Sequence, residues 1–199
     1  MVRKLRTIEM QRLSVEEFHE ARKLPLVVVL DDVRSLYNVG SIFRTCDAFR
    51  IEALWLCGIT ATPGQCLTEI HKTALGAEDS VAWRYFLSVD EAVEELRRQG
   101  YQTFAVEQAE GSIKLPVKEP VAHHLSPITH QPSAIVLGNE VKGVHQSVID
   151  RCDHCLEIPQ FGTKHSMNVA VTAGIVIWEF ARQLLSQPSI ARQITAHES

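Results

Sequence analysis

"IPQFGTKHSMNVAVTAGIVIWEF", residues 158–180, begins with a strand-like Ile158-Pro159 ending, crosses a loop loosened by Gly162, and enters a nearly unbroken apolar run. Ser166 and Asn168 stand at the mouth of that run. Helix-capping preference alone makes Ser166 an N-cap and Asn168 a polar residue of the first turn. The helix that follows, from Ser166 to about Leu185, carries Val169, Val171, Ile175, Val176, Ile177, Trp178 and Phe180 and leaves no clean polar face. Such a helix belongs in a core or in a subunit interface.

Working outward, a second apolar stretch, "LPLVVVLDDV" from Leu24, runs without alternation, as a strand covered on both faces does. Further strands are expected at "IEALWLCG" from Ile51, "VAWRYF" from Val81, "YQTFAV" from Tyr101, "AIVLG" from Ala134 and "HCLEIP" from His154. Between them, "SVDEAVEELRRQG" reads as a helix capped by Ser88 and Glu91 and stopped by Gly100. Near the amino end "SVEEFHEARKL", with Ser14 and Glu17 in a capping box, predicts a short exposed helix. Strand and helix alternate, so the expected fold class is α/β, a mainly parallel sheet between helix layers.

The chain has 199 residues, 45% of them hydrophobic, enough for one sizeable core. We expect a basic amino-terminal arm and short helix over 1–23, one α/β domain over 24–186, and a carboxyl-terminal tail over 187–199. The longest apolar stretch falls short of the ~20 residues that span a bilayer, and the charged amino end lacks the apolar core of a signal peptide. The expectation is a cytoplasmic protein with no membrane partner. Five scattered cysteines fit reduced thiols. "CDHC", Cys152 to Cys155, lacks a second ligand pair at zinc-site spacing, so no metal is expected and the two cysteines read as small side chains entering a strand. Gly111 to Pro132, with His123, His124 and His130, reads as an irregular connection.

A formal charge of −4 supplies no global attraction to a polyanion, so any nucleic-acid binding rests on local patches. Arg3, Lys4, Arg6 and Arg12 crowd the amino end, and Arg34, Arg44, Arg50, Lys72, Lys142 and Lys164 lie in or beside three glycine-containing turns.

Each turn follows a strand. In "SLYNVGSIFRTCDAF" Asn38 can cap a helix, Gly40 permits close backbone approach, and Arg44 projects further along; the same pattern also describes an ordinary cap with a surface arginine. In "IVLGNEVKGV" a strand ends in Gly138, Asn139, Glu140 and Gly143, a ligand-binding position in open α/β sheets or simply a tight loop. No GxGxxG occurs, which argues against a dinucleotide dehydrogenase. The third turn is the opening segment. In a parallel sheet all three converge on one edge.

Together, "NVGSIFRT", "VLGNEVKGV" and "IPQFGTKHSMNVAV" resemble the three ordered motifs of the TrmH (SpoU) family of RNA ribose methyltransferases, within the SPOUT superfamily. The similarity runs from Leu24 to Leu185. The resemblance implies a carboxyl-terminal trefoil knot, S-adenosylmethionine as cofactor, and a homodimer with the last helix at its interface. It implies catalytic roles for Arg44, Asn38 and Glu140, and cofactor binding by Leu137, Gly138, Asn139, Ile158, Ser166, Met167 and Asn168. Met167 stands where the family commonly has Leu, a volume-conserving change. The implied reaction is methyl transfer to a ribose 2′-hydroxyl of RNA, tRNA in preference to rRNA. The alternatives are an rRNA substrate or a non-catalytic RNA-binding module on the same fold.

Overall fold

The structure, a computed structural model, describes residues 2–10, 12–117 and 131–195. His123, His124 and His130 lie outside the described residues.

Among the described residues seven strands form one sheet: β1 (Leu24–Asp31), β2 (Ile51–Cys57), β3 (Trp83–Phe86), β4 (Gln102–Val106), β5 (Ile113–Lys114), β6 (Ser133–Leu137) and β7 (His154–Glu157). Their order is β3-β2-β1-β6-β4-β7-β5, and every pairing is parallel. Among the described residues eight α-helices connect or flank them: α1 (Val15–Glu20), α2 (Leu36–Ala48), α3 (Pro63–Ala74), α4 (Ala77–Ser80), α5 (Val89–Arg98), α6 (Gln146–Ile149), α7 (Val169–Leu185) and α8 (Pro188–Thr195).

The unalternating run of β1 is explained by burial on both faces. Leu26, Val28 and Leu30 join Ile42 and Phe43 of α2 and Val176, Ile177 and Phe180 of α7 in one cluster. Val27 and Val29 point the other way, into a second cluster with Val89, Val93 and Leu96 of α5 and Val148 of α6. The period of two thus divides one apolar strand between two cores. Each fully buried aliphatic side chain contributes about 1.5–3 kcal/mol of transfer free energy, which is why the central strands hold the sheet.

Several boundaries differ from the sequence reading. α1 is capped as expected, with Ser14 Oγ accepting from the Glu17 amide at 3.2 Å and Glu17 accepting from the Ser14 amide at 2.7 Å, yet its Phe18 is buried. Strand β5 falls in the stretch read as irregular and is two residues long, too short for a periodic pattern. The expected tail contains α8, bent 109° from α7, with Ile190 and Ile194 packed on the core. Arg50, expected beside a functional turn, instead donates to the Ile194 carbonyl at 3.0 Å and ties α8 down.

Among the described residues no single helix is long and apolar enough to cross a membrane. Nor does any group of three or more His, Cys, Asp or Glu side chains among them have the arrangement to hold a metal ion. Cys155 lies against the second core, where its thiol contacts the Glu107 carbonyl at 3.5 Å, while burial pushes the Cys152 thiol up to about 12.

Candidate active site

All strands run the same way, so the turns after β1, β6 and β7 emerge on one edge of the sheet. β6, β4 and β7 lie side by side in the sheet, so the turns that follow them share one stretch of that edge. A cleft of about 600 Å3 opens there. Its apolar floor includes Leu137, Leu156, Ile158 and Val169, and Gly138, Asn139, Ser166 and Met167 also line it.

Gly138 has to be glycine for packing reasons. A Cβ there would stand 2.2 Å from the Gly143 carbonyl oxygen and 2.4 Å from the Val144 nitrogen. The loop therefore folds back tightly on the strand end, with the Gly143 amide donating to the Asn139 carbonyl at 2.8 Å. Asn139 organises the loop from inside: its amide donates to the Asp32 carbonyl at 2.8 Å, and its Oδ1 accepts from the Val141 and Lys142 amides.

Glu140 joins this loop to the first turn. Its carboxylate accepts from the Arg34 and Ser35 backbone amides and from Asn38 Nδ2, each at 3.0 Å. Partial burial opposes its charge, but the backbone amides and the Asn38 side chain outweigh that effect and hold its carboxyl below the usual value. Asn38 in turn accepts from Asn168 Nδ2 at 3.1 Å. A single polar chain, Glu140 to Asn38 to Asn168, thus ties the three turns together.

Two caps are assigned differently from the sequence reading. Asn168, not Ser166, is the N-cap of α7, with Oδ1 accepting from the Ala170 and Val171 amides at 2.9 and 3.3 Å. Ser166 is exposed two residues upstream, outside any helix or strand. Likewise Ser35, not Asn38, caps α2, its Oγ accepting from the Asn38 amide at 3.3 Å. Competition between neighbouring polar residues explains both cases: at α2 the Ser35 oxygen meets the helix end and frees Asn38 for a tertiary bond, while at α7 Asn168 has both an acceptor for the helix end and a donor for Asn38, which Ser166 does not match.

The site residues expected from sequence therefore separate by position. Leu137, Gly138, Asn139, Glu140, Ile158, Ser166 and Met167 line the cleft, whereas Asn38 and Asn168 lie behind its rim in the polar chain. Arg44 is elsewhere. It is exposed on α2 and lines a separate hollow with Lys72. Gly40, expected to permit close backbone approach, admits α3, since a Cβ there would meet the Ile70 carbonyl at 2.3 Å.

Sequence reasoning missed the β4 end of the cleft, Glu107, Gln108, Ala109 and Glu110. Glu107 Oε2 accepts from the Val144 amide at 2.9 Å, so it also braces the glycine loop. The available signal was "EQAEG" directly after a foreseen strand; what was missing was the knowledge that β4 lies beside β6.

Comparison with known proteins decides the family. The model of the SpoU rRNA methylase family matches residues 25–178. The chain belongs to that family. It is accordingly an RNA methyltransferase by descent, and its sheet is the SPOUT arrangement expected from the motifs. It is 26% identical over 97% of its length to a tRNA (guanosine(18)-2′-O)-methyltransferase of Aquifex aeolicus, of which it covers 88%. To a 23S rRNA (guanosine-2′-O-)-methyltransferase RlmB of Nitrosomonas europaea it is 31% identical over 85% of its own length and 61% of the relative's. Among solved structures, an AdoMet-bound rRNA methyltransferase from Sinorhizobium meliloti superposes with a TM-score of 0.71 at 27% identity, covering 88% of this chain and 62% of that one.

Proposed function

We propose that this SpoU-family chain transfers a methyl group from S-adenosylmethionine to a ribose 2′-hydroxyl of tRNA, acting as a homodimer in the cytoplasm. The observation that carries the reading is the polar chain Glu140–Asn38–Asn168, which draws the three family motifs to one cleft at the carboxyl ends of β6, β4 and β7.

The residues present fit the cofactor. An apolar floor suits an adenine ring, and polar groups at the rim suit its ribose and amino-acid ends. Three carboxylates, Glu107, Glu110 and Glu140, face one lysine, Lys142, which suits a ligand bearing a sulfonium and an ammonium. When bound, S-adenosylmethionine supplies an electrophilic methyl group. The protein holds the acceptor ribose in line with it and eases loss of the hydroxyl proton.

Arg44 presents a planar guanidinium with donors and no acceptor, so its role is that of a charge-assisted donor that steadies the developing alkoxide or the adjacent phosphate. Asn38 and Glu140 are positioning residues. They act through the turn they hold and through the cap of α7.

Arg44 does not line its own cleft, and a second copy supplies the remedy. Val171, Ile175 and Trp178 are 52%, 38% and 54% exposed and recur at helical spacing along α7, an apolar stripe suited to a partner helix. Docking through that stripe brings Arg44 of one protomer to the cleft of the other. The trefoil knot implied by the family belongs to the same proposal, supported by the meeting of the 138–144 and 158–168 loops at the cleft.

tRNA is favoured over rRNA because the match to the Aquifex aeolicus tRNA enzyme spans nearly all of both chains. The decisive experiment incubates the protein with methyl-labelled S-adenosylmethionine and separated tRNA and rRNA, then digests the RNA to locate the label. Label on a tRNA 2′-oxygen supports the reading; label confined to rRNA corrects the substrate; no transfer to either overturns it.

A further inference from the structure

Arg44, in the third turn of α2, and Lys72, in the last turn of α3, stand side by side outside the cleft. Both line a hollow of about 440 Å3 with Ser41, Thr45, Phe49 and Thr73. The two helices can bring the cations together because Gly40 lets α2 cross closely over α3, its missing Cβ leaving room for the Ile70 carbonyl and Thr73 Oγ1.

The hollow's hydrogen-bond donors are unevenly committed. Ser41 and Thr73 hydroxyls both donate to the Tyr37 carbonyl, at 2.8 and 2.9 Å, and Thr45 donates to the Ser41 carbonyl at 3.0 Å. His71, next to Lys72, is taken up by Glu78 at 2.5 Å. Among the described residues, Arg44 and Lys72 themselves meet no acid and no acceptor. A lone lysine in a last helical turn is ordinary, since the helix dipole favours it. Two uncommitted cations across one hollow, with every hydroxyl proton turned inward, leave a site whose only free donors are positive.

We infer that Lys72 and Arg44 form a subsite for a backbone phosphodiester of the RNA, with Lys72 an added substrate-binding residue that nothing in the family motifs specifies. This rests on the RNA substrate reading. Lys72 acts as a point charge on a flexible stem and Arg44 as a planar fork, so the pair can hold one phosphate while the fork stays turned toward the ribose. Binding there is electrostatic and independent of sequence, releases counterions and weakens with salt.

The test measures binding of bulk tRNA by fluorescence anisotropy across a salt series, for wild type, Lys72→Gln, Lys72→Arg and Arg98→Gln. Arg98 is the charge-matched control, an exposed residue on α5 paired with Glu95 at 2.7 Å. Lys72→Gln should weaken binding roughly fivefold at low salt and reduce the slope of log K against log salt by about one. Lys72→Arg should restore both, Arg98→Gln should change neither, and affinity for S-adenosylmethionine should stay at the wild-type value throughout. An unchanged affinity and slope in Lys72→Gln, or equal losses in Lys72→Gln and Arg98→Gln, overturns the subsite. Wild-type protein that binds tRNA but transfers no methyl group would refute the proposed function while leaving the subsite to stand on its salt slope; wild-type protein that binds no RNA refutes both.

Discussion

Asn168 donates its side-chain amide to Asn38 Oδ1 at 3.1 Å while its own Oδ1 caps α7, so one residue serves as helix cap and as clasp between two helix starts 130 residues apart. The two functions can be separated by substitution. Asn168→Asp keeps the capping oxygen and adds a charge favourable at a helix amino end, but loses the donor to Asn38. Asn168→Ala loses both. We expect Asn168→Ala to cost about 1 kcal/mol of stability in urea titrations. Asn168→Asp should stay close to wild type in stability yet lose methyl-transfer activity as Asn38→Ala does. If the clasp matters, the Asn38→Ala and Asn168→Asp losses will not add in the double variant; additive losses would mean that the two residues act separately.

The position of Arg44 outside its own cleft leads to a prediction about mixed dimers. Arg44→Ala removes the donor, and Ser166→Tyr fills the cleft from its exposed rim. Each variant alone should be inactive. Co-expressed, they should recover roughly a quarter of wild-type activity, because half the dimers are mixed and each mixed dimer retains one intact composite site. A site confined to one protomer would give no recovery.

The sheet was legible from sequence because burial on both faces writes continuous apolar runs, as at Leu24–Asp31 and Ser133–Leu137. Convergence of the three turns followed from parallel strands alone. The order of strands did not, since it depends on long-range pairing, and without the adjacency of β4 and β6 the contributions of Glu107 and Glu110 could not be placed. Caps were misassigned by two or three residues because Ser166 competes with Asn168, and Asn38 with Ser35, for similar roles. Only the tertiary partners Asn38 and Glu140 decide between them. The amphipathic α8 was missed for a similar reason, its apolar Ile190 and Ile194 gaining meaning only against the core.

Glu140 accepts three hydrogen bonds, and Glu140→Gln turns a donor toward a ring of donors. Stability should fall by about 1–3 kcal/mol at pH 7. The folded carboxyl lies below its ordinary value of 4.5, so its contribution is present above that value and disappears as pH falls through the folded one. The difference between wild type and Glu140→Gln in denaturant titrations should therefore be full at pH 7 and shrink in acid as the pH falls below the ordinary value of 4.5. A difference independent of pH would show that the carboxylate charge is not what joins the loops.

Asp31 closes β1 with the opposite sign. Its carboxyl is 4% exposed, and its Oδ2 has no partner among the described residues. Burial, and next the charge of Asp32, raise it to about 6, with Asp90 adding to the rise and His145 opposing it. A carboxyl raised in the folded state favours folding while it is neutral, and that contribution is lost as pH climbs from its unfolded value of 3.8 through about 6. Above pH 7 the folded protein carries a buried charge that the unfolded chain would hydrate freely. Asp31→Asn cannot titrate, so its stability relative to wild type should rise across this window, by on the order of 3 kcal/mol, and level off above it. Urea midpoints for the two proteins at about pH 3.5, 5, 6, 7 and 8 test this directly. Parallel curves would show that the charge on Asp31 is compensated in the folded protein, and His145, which opposes the rise, would then be the residue to replace.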